Sequence, residues 1–156
     1  MALLSEGEGP ALYTTRFALM GGRAVVRFVD VRGRAFAERL ARAVEDEALR
    51  IEVKFSRFRE ASVVSAINRD AGRTPVAVDA ETEFLFGAAL DLWKESGGRF
   101  DPTVGARRKA WDFKAQRVPS PDEVAALLPL VSGASVSRRD GTIFLRKPGM
   151  EMSTVW

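Results

Sequence analysis

One stretch of helical spacing constrains this chain more than any other feature. Phe36, Leu40, Val44, Ala48, Ile51 and Phe55 recur every three or four positions. That spacing puts them on one face of a long helix, with Arg, Glu and Asp opposite. The segment before it, residues 17–29, reads as extended structure: Ala24, Val25, Val26, Phe28 and Val29 follow a Gly21-Gly22 pair that makes a turn or bulge. Two strands or one kinked strand both satisfy this pattern.

Further along, Ser62 is placed to cap a short helix carrying Val63, Val64 and Ile67, which Asn68, Gly72 and Pro75 bring to an end. Residues 76–78 make a short extended piece. Asp79 then reads as the N-cap of a second long helix, with Glu81 and Glu83 in its first turn. Its expected apolar face holds Phe84, Ala88 and Leu92 together with Leu85, Ala89 and Trp93, and Gly97-Gly98 stops it. Ser120-Pro121-Asp122-Glu123 combines a capping box with Pro at the first helical position, predicting a short helix through Val124, Leu127 and Leu128. Residues 135–137 and 142–146 flank Asp140-Gly141, as expected of an antiparallel hairpin. The fold class is α+β, mixed helix and antiparallel sheet, and residues 1–156 read as a single domain.

The composition narrows the chemistry. With 46% apolar and 29% charged residues in 156, the chain is a folded globular type. It has no cysteine, which removes disulfides, thiolate metal sites and a Cys nucleophile. It has no histidine either, so any acid, base or metal role falls to Asp, Glu, Lys or Tyr13. The net charge of +3 is spread along the chain, densest at Arg107-Arg108-Lys109 with Lys114 and Arg117. No groove-reading motif accompanies these residues, so nucleic acid is not an expected partner. No stretch reaches the roughly 18 apolar residues of a membrane span. The first 20 residues, with Glu6, Glu8 and Pro10, do not form a signal peptide, which gives a cytoplasmic expectation for the chain as written.

Three segments remain as candidate chemistry: residues 56–59, residues 97–105, and Trp111-Asp112-Phe113. Ser56-Arg57-Phe58-Arg59 also fits a helix end with solvated arginines. In the second segment, Gly97-Gly98 can bring backbone N–H groups to a pyrophosphate, with Asp101 accepting from a ribose or adenine. Equally, the same residues fit a helix C-cap followed by Asp101 capping over Pro102. Trp111 and Phe113 suit a core anchor or a ring-stacking platform, and Met20 suits core packing or contact with an aromatic ligand.

Taken in order, these pieces resemble the FAD:protein FMN transferase (ApbE) family: Met20-Gly21, Ser56-Arg57-Phe58-Arg59 with residues 62–68, Gly97-Gly98-Arg99-Phe100-Asp101-Pro102-Thr103-Val104-Gly105, Trp111-x-Phe113, and Val118-Pro119-Ser120-Pro121. The resemblance covers about residues 17–149, and the Phe-Asp-Pro-Thr-Val-Gly run is its most distinctive part. It implies an enzyme that takes FAD as substrate, uses Mg²⁺, and joins the FMN half through its phosphate to a threonine hydroxyl of an acceptor protein, releasing AMP. It places FAD contacts at Met20, Phe58, Arg99, Phe100 and Asp101.

Four positions depart from the family pattern: Phe58 stands for Tyr, Ala61 for an acidic residue, Gly22 for Thr, and Asp112 for Gly. After Pro148-Gly149-Met150, the family continues into an Asp-x-Gly-Gly-x-Ala-Lys-Gly segment and roughly as much chain again. Here Glu151 to Trp156 follow instead. The expectation is therefore the front part of the ApbE-like fold, truncated, with 150–156 an atypical end. No catalytic or metal residue is assigned, since the family's metal ligands belong to the later part, and the piece alone is expected to be inactive. The alternatives are a non-catalytic FAD-binding module, one half of a split enzyme, or a basic module using residues 107–117 on an acidic partner. Family members are often exported.

Overall fold

The structure is a computed structural model that describes residues 4–6, 12–29, 32–111 and 116–153, with the backbone alone for 4–6. The described residues belong to two compact units, Met1–Ser56 and Arg57–Trp156.

In the first unit, β1 (Leu4–Glu6), β2 (Leu12–Leu19) and β3 (Gly22–Val29) form an antiparallel sheet in that order. The extended segment is thus two strands. The turn falls one residue earlier than the Gly21-Gly22 pair suggests: Met20 and Gly21 have φ of 50° and 74°, and Gly22 already pairs with Leu19. A two-residue hairpin loop with positive φ at both positions matches the right-handed twist of the strands. Tyr13–Phe28, Thr15–Val26 and Phe17–Ala24 are opposed pairs on one face.

Helix α1 (Arg34–Phe55) packs by that sheet, and its close contacts differ from the expected stripe. Ala37 and Ala41 are fully buried with Tyr13 and Phe28 against them, whereas Phe36 and Leu40 are half-buried and Val44 is exposed. Small residues let a helix approach a sheet closely, so the alanines take the contact line and the larger side chains flank it. Phe36 is instead held beneath two guanidinium groups, Arg32 and Arg39, each 5.3 Å from its ring centre.

The second unit starts with α2 (Val63–Arg69), capped as expected by the Ser62 hydroxyl, which accepts from the Ser65 N–H at 3.0 Å. Strand β4 (Val76–Ala77), helix α3 (Ala80–Glu95), helix α4 (Pro121–Leu127) and the hairpin β5 (Val136–Arg139) and β6 (Thr142–Leu145) follow. The sheet order is β4-β6-β5, all antiparallel, and Asp140 and Gly141 turn the hairpin with φ of 50° and 67°. Asp79 caps α3 by accepting from the Thr82 N–H at 3.0 Å.

The face of α3 is corrected. Its buried residues are Thr82, Phe86, Gly87 and Leu90, while Phe84 is 72% and Leu92 47% exposed. Apolar residues surround this helix from Phe84 to Trp93, so spacing alone does not single out the side that meets the core. Val64, Ile67, Phe86, Leu90, Ile143, Leu145, Met150 and Met152 are buried in this unit.

Candidate functional site

Gly97 and Gly98 end α3 in a Schellman motif. The Gly98 N–H donates to the Trp93 carbonyl at 2.9 Å and the Gly97 N–H to the Lys94 carbonyl at 3.0 Å, with φ of 61° and 80° at the glycines. The chain can then turn into residues 100–105. Asp101 spans Pro102: its Oδ1 accepts from the Thr103 N–H at 2.8 Å and from the Thr103 hydroxyl at 2.6 Å. Its Oδ2 accepts from the Gly133 N–H at 2.8 Å, and the Thr103 hydroxyl in turn accepts from the Ser132 N–H at 2.8 Å. The Asp-Pro-Thr run is therefore a staple that joins the loop after α3 to residues 132–133. A carboxylate offers about four lone-pair positions, of which three are filled here.

Beyond the staple, a short 3-10 helix, Gly105–Ala110, carries Arg107, Arg108 and Lys109. Val104 forms a parallel bridge with Glu151, and the Ser153 N–H donates to the Pro102 carbonyl at 2.8 Å. Gly105 makes this approach feasible, because a Cβ there would lie 2.7 Å from the Glu151 carbonyl oxygen. From the other side, Asn68 clamps Met152. Its Oδ1 accepts from the Met152 N–H at 2.7 Å, and its Nδ2 donates to the Met152 carbonyl at 3.2 Å.

Glu151 ties residues 56–59 to the 3-10 helix. Its carboxylate meets Lys109 at 2.8 Å and Arg57 at 4.0 Å. Phe58 is 75% exposed, and the Arg57 and Arg108 guanidinium groups lie 5.1 and 5.6 Å from its ring centre. One Arg57 nitrogen, Nη1, is buried without a hydrogen-bond acceptor. Burial, and after it the neighbouring Arg108 charge, pushes the Arg57 guanidinium below its ordinary value, with Glu151 pulling it back up.

Sequence reasoning passed over Glu151 and read Asn68 only as a helix end. Asn68 meets Met152 across 84 positions and Glu151 meets residues as remote as Arg57, and neither sits in a local pattern. Phe100 lines an apolar groove of about 410 Å³ with Leu85, Ala89, Leu92, Pro102 and Met152. Arg99 is exposed to solvent. Met20, in the first unit, is 44% exposed, and its N–H donates to Glu52 Oε2 at 2.9 Å. Trp111 is half-buried under the Arg107 guanidinium at 5.9 Å, whereas Asp112 and Phe113 lie outside the described residues. Among the described residues, no three of His, Cys, Asp and Glu converge as metal ligands would.

The model of the ApbE family matches residues 20–154. The chain belongs to the ApbE family. Among curated relatives, it is 34% identical over 110 residues to the FAD:protein FMN transferase of Treponema pallidum, covering 65% of this chain and 30% of that protein. It is 30% identical over 113 residues to the one from Chlamydia trachomatis, covering 68% of this chain and 35% of that protein. The ApbE protein of Thermotoga maritima superposes with a TM-score of 0.80 at 28% identity, over 91% of this chain and 47% of that one. The flavin transferase ApbE of Vibrio cholerae shares the fold with a TM-score of 0.80 at 19% identity, over 93% of this chain and 48% of that one. The chain thus spans about a third of these curated relatives and about half of these solved ApbE structures. The mixed helix and antiparallel sheet are those of an ApbE-like fold, and no helix among the described residues is long and apolar enough to cross a membrane.

Proposed function

We propose that this chain is the flavin-contacting part of an FAD:protein FMN transferase. In this reading it takes FAD as substrate, with Phe58, Arg99, Phe100 and Asp101 as contacts in the second unit and Met20 in the first. The observation that carries the reading is Phe58: a phenylalanine left 75% exposed, inside a family match over residues 20–154, and flanked by two guanidinium groups. An exposed ring with cations beside it fits an aromatic, phosphate-bearing substrate.

The reaction in this reading transfers the FMN phosphate to a threonine hydroxyl of an acceptor protein and releases AMP. Magnesium belongs to it through the family alone, since no cluster of candidate ligands occurs among the described residues. Asp101 has a structural task in this scheme: with most of its acceptor positions filled by Thr103 and Gly133, it holds Phe100 and the loop in place and keeps one position for a ligand donor. We propose that residues 1–156 are a single ApbE-like domain and that these 156 residues alone do not complete the transfer. The modest share of its relatives that the chain spans supports this.

The test mixes the isolated chain with FAD, Mg²⁺ and a threonine-bearing acceptor and reads flavin fluorescence on a denaturing gel. No covalent fluorescent band is expected. A band would show that these residues suffice for transfer.

A further inference from the structure

One face of the β2–β3 pair lies under α1, where Ala37 and Ala41 meet Tyr13 and Phe28. On the opposite face Arg16 stands across from Val25. Arg23 and Arg27, on either side of Val25 along that face, are both diagonal neighbours of Arg16, roughly 7–8 Å away. All three arginines are exposed, as are Val25 at 49% and Val29 at 60%, while Thr14, opposite Arg27, is buried. Neither strand carries a carboxylate, and among the described residues none of the three guanidinium groups has an ion pair. Like charges this close repel, so the face is short of negative charge.

Strand β3 is also an edge. β2 pairs with one side of it, and among the described residues no strand pairs with the other. Gly22–Val29 contains three valines and no proline. A bare edge of that kind is a template for a further strand, and its charged side chains select which strand joins. A second copy of β3 would bring more arginines to the same face. An extended segment bearing carboxylates would instead neutralise it.

We propose that the outer edge of β3 takes an extended acidic segment of a partner protein as a fourth strand of this three-stranded sheet. On one face of the incoming strand, carboxylates meet Arg23 and Arg27, with an apolar residue between them beside Val25. Backbone hydrogen bonds along the edge align the two chains. Arg16, one strand further in, adds to the positive field. None of these residues is an FAD contact in the reading above, so the docking stands independently of it.

The test is a fluorescence anisotropy titration of the 156-residue chain with a labelled peptide that repeats Glu-Thr-Val-Thr, and with a counterpart in which Lys replaces Glu. The acidic peptide should bind saturably and more weakly as salt rises, and the basic one should not bind. Arg23→Glu with Arg27→Glu should weaken the acidic peptide about tenfold, the scale of two cross-strand charge pairs, and admit the basic one. Two further acidic peptides separate strand addition from simple charge attraction, one N-methylated at its Glu and Val residues and one at its Thr residues. An added strand presents only one of these sets to β3, so one methylated form should lose binding and the other keep it.

Equal binding of the two methylated peptides would mean that the arginines attract charge without pairing a strand, and overturns the proposal. So does tighter arginine-dependent binding of single-stranded DNA or of anionic phospholipid vesicles than of the acidic peptide. Absence of peptide binding by a chain whose circular dichroism shows it folded overturns it as well.

Discussion

At the scale of single residues, the Asp101 staple explains why an Asp-Pro-Thr run is so distinctive. Asp101→Ala removes the acceptor for two backbone N–H groups and a hydroxyl, at Thr103 and Gly133. Leaving such groups unpaired typically costs 1–3 kcal/mol, so urea unfolding should show a loss of about 2–3 kcal/mol. The opposite sign is expected at Thr15, which is buried opposite Val26 with its hydroxyl unpaired. Thr15→Val keeps the shape and removes that polar group, and should raise stability by about 1 kcal/mol in the same measurement. The cap that Asp101 makes over Pro102 onto Thr103 is one of the two readings the sequence offered, but its reach to a second loop was not legible, nor was the role of Thr15. The Asp101 partner at Gly133 is 32 positions away, and nothing in an alternating strand marks a threonine hydroxyl as stranded.

Elements set by their own local chemistry were read best. Ser120 and Glu123 make the reciprocal capping box, with the Glu123 N–H donating to Ser120 Oγ at 3.2 Å and the Ser120 N–H to Glu123 Oε2 at 2.8 Å. Asp140-Gly141 turns its hairpin as anticipated, because the left-handed geometry is a property of those two residues. The buried side of α3 was misread, and that of α1 in part, since Phe55 is buried as expected but Ala37 and Ala41 were not anticipated: which side meets the core depends on the neighbours, and both helices carry apolar residues on more than one side.

Two predictions belong to elements. The Arg117 guanidinium hydrogen-bonded to Glu123, followed by the Ser120 backbone, holds the Glu123 carboxyl down to about 2 from its ordinary 4.5. Between those values the unfolded chain binds more protons at this position than the folded one. The α4 cap is therefore fully stabilising above about 4.5 and is lost as pH falls towards 2. Arg117→Ala should make acid unfolding over that window shallower. At the β2–β3 turn, Met20 holds a left-handed φ of 50° that Asn adopts more readily. Met20→Asn should raise stability by about 0.5–1 kcal/mol in thermal unfolding while weakening FAD binding, the exchange expected where a strained residue serves a ligand.

At the scale of the whole chain, family membership was legible from ordered short motifs, because those motifs are structural devices of the fold: a Schellman stop, an Asp staple and a glycine that admits a neighbouring backbone. The site was legible in part. Phe58 could be picked out by resemblance, but the setting that makes it a plausible ligand surface depends on Glu151 and Arg108, which only the fold brings to Arg57 and Phe58. The most direct test of the central claim is an equilibrium FAD titration followed by tryptophan quenching, on the wild type and Phe58→Ala. The account predicts saturable binding that weakens about tenfold when the ring is removed, the scale of one aromatic stacking contact. No saturation up to high micromolar FAD, or equal binding by the two proteins, would contradict it.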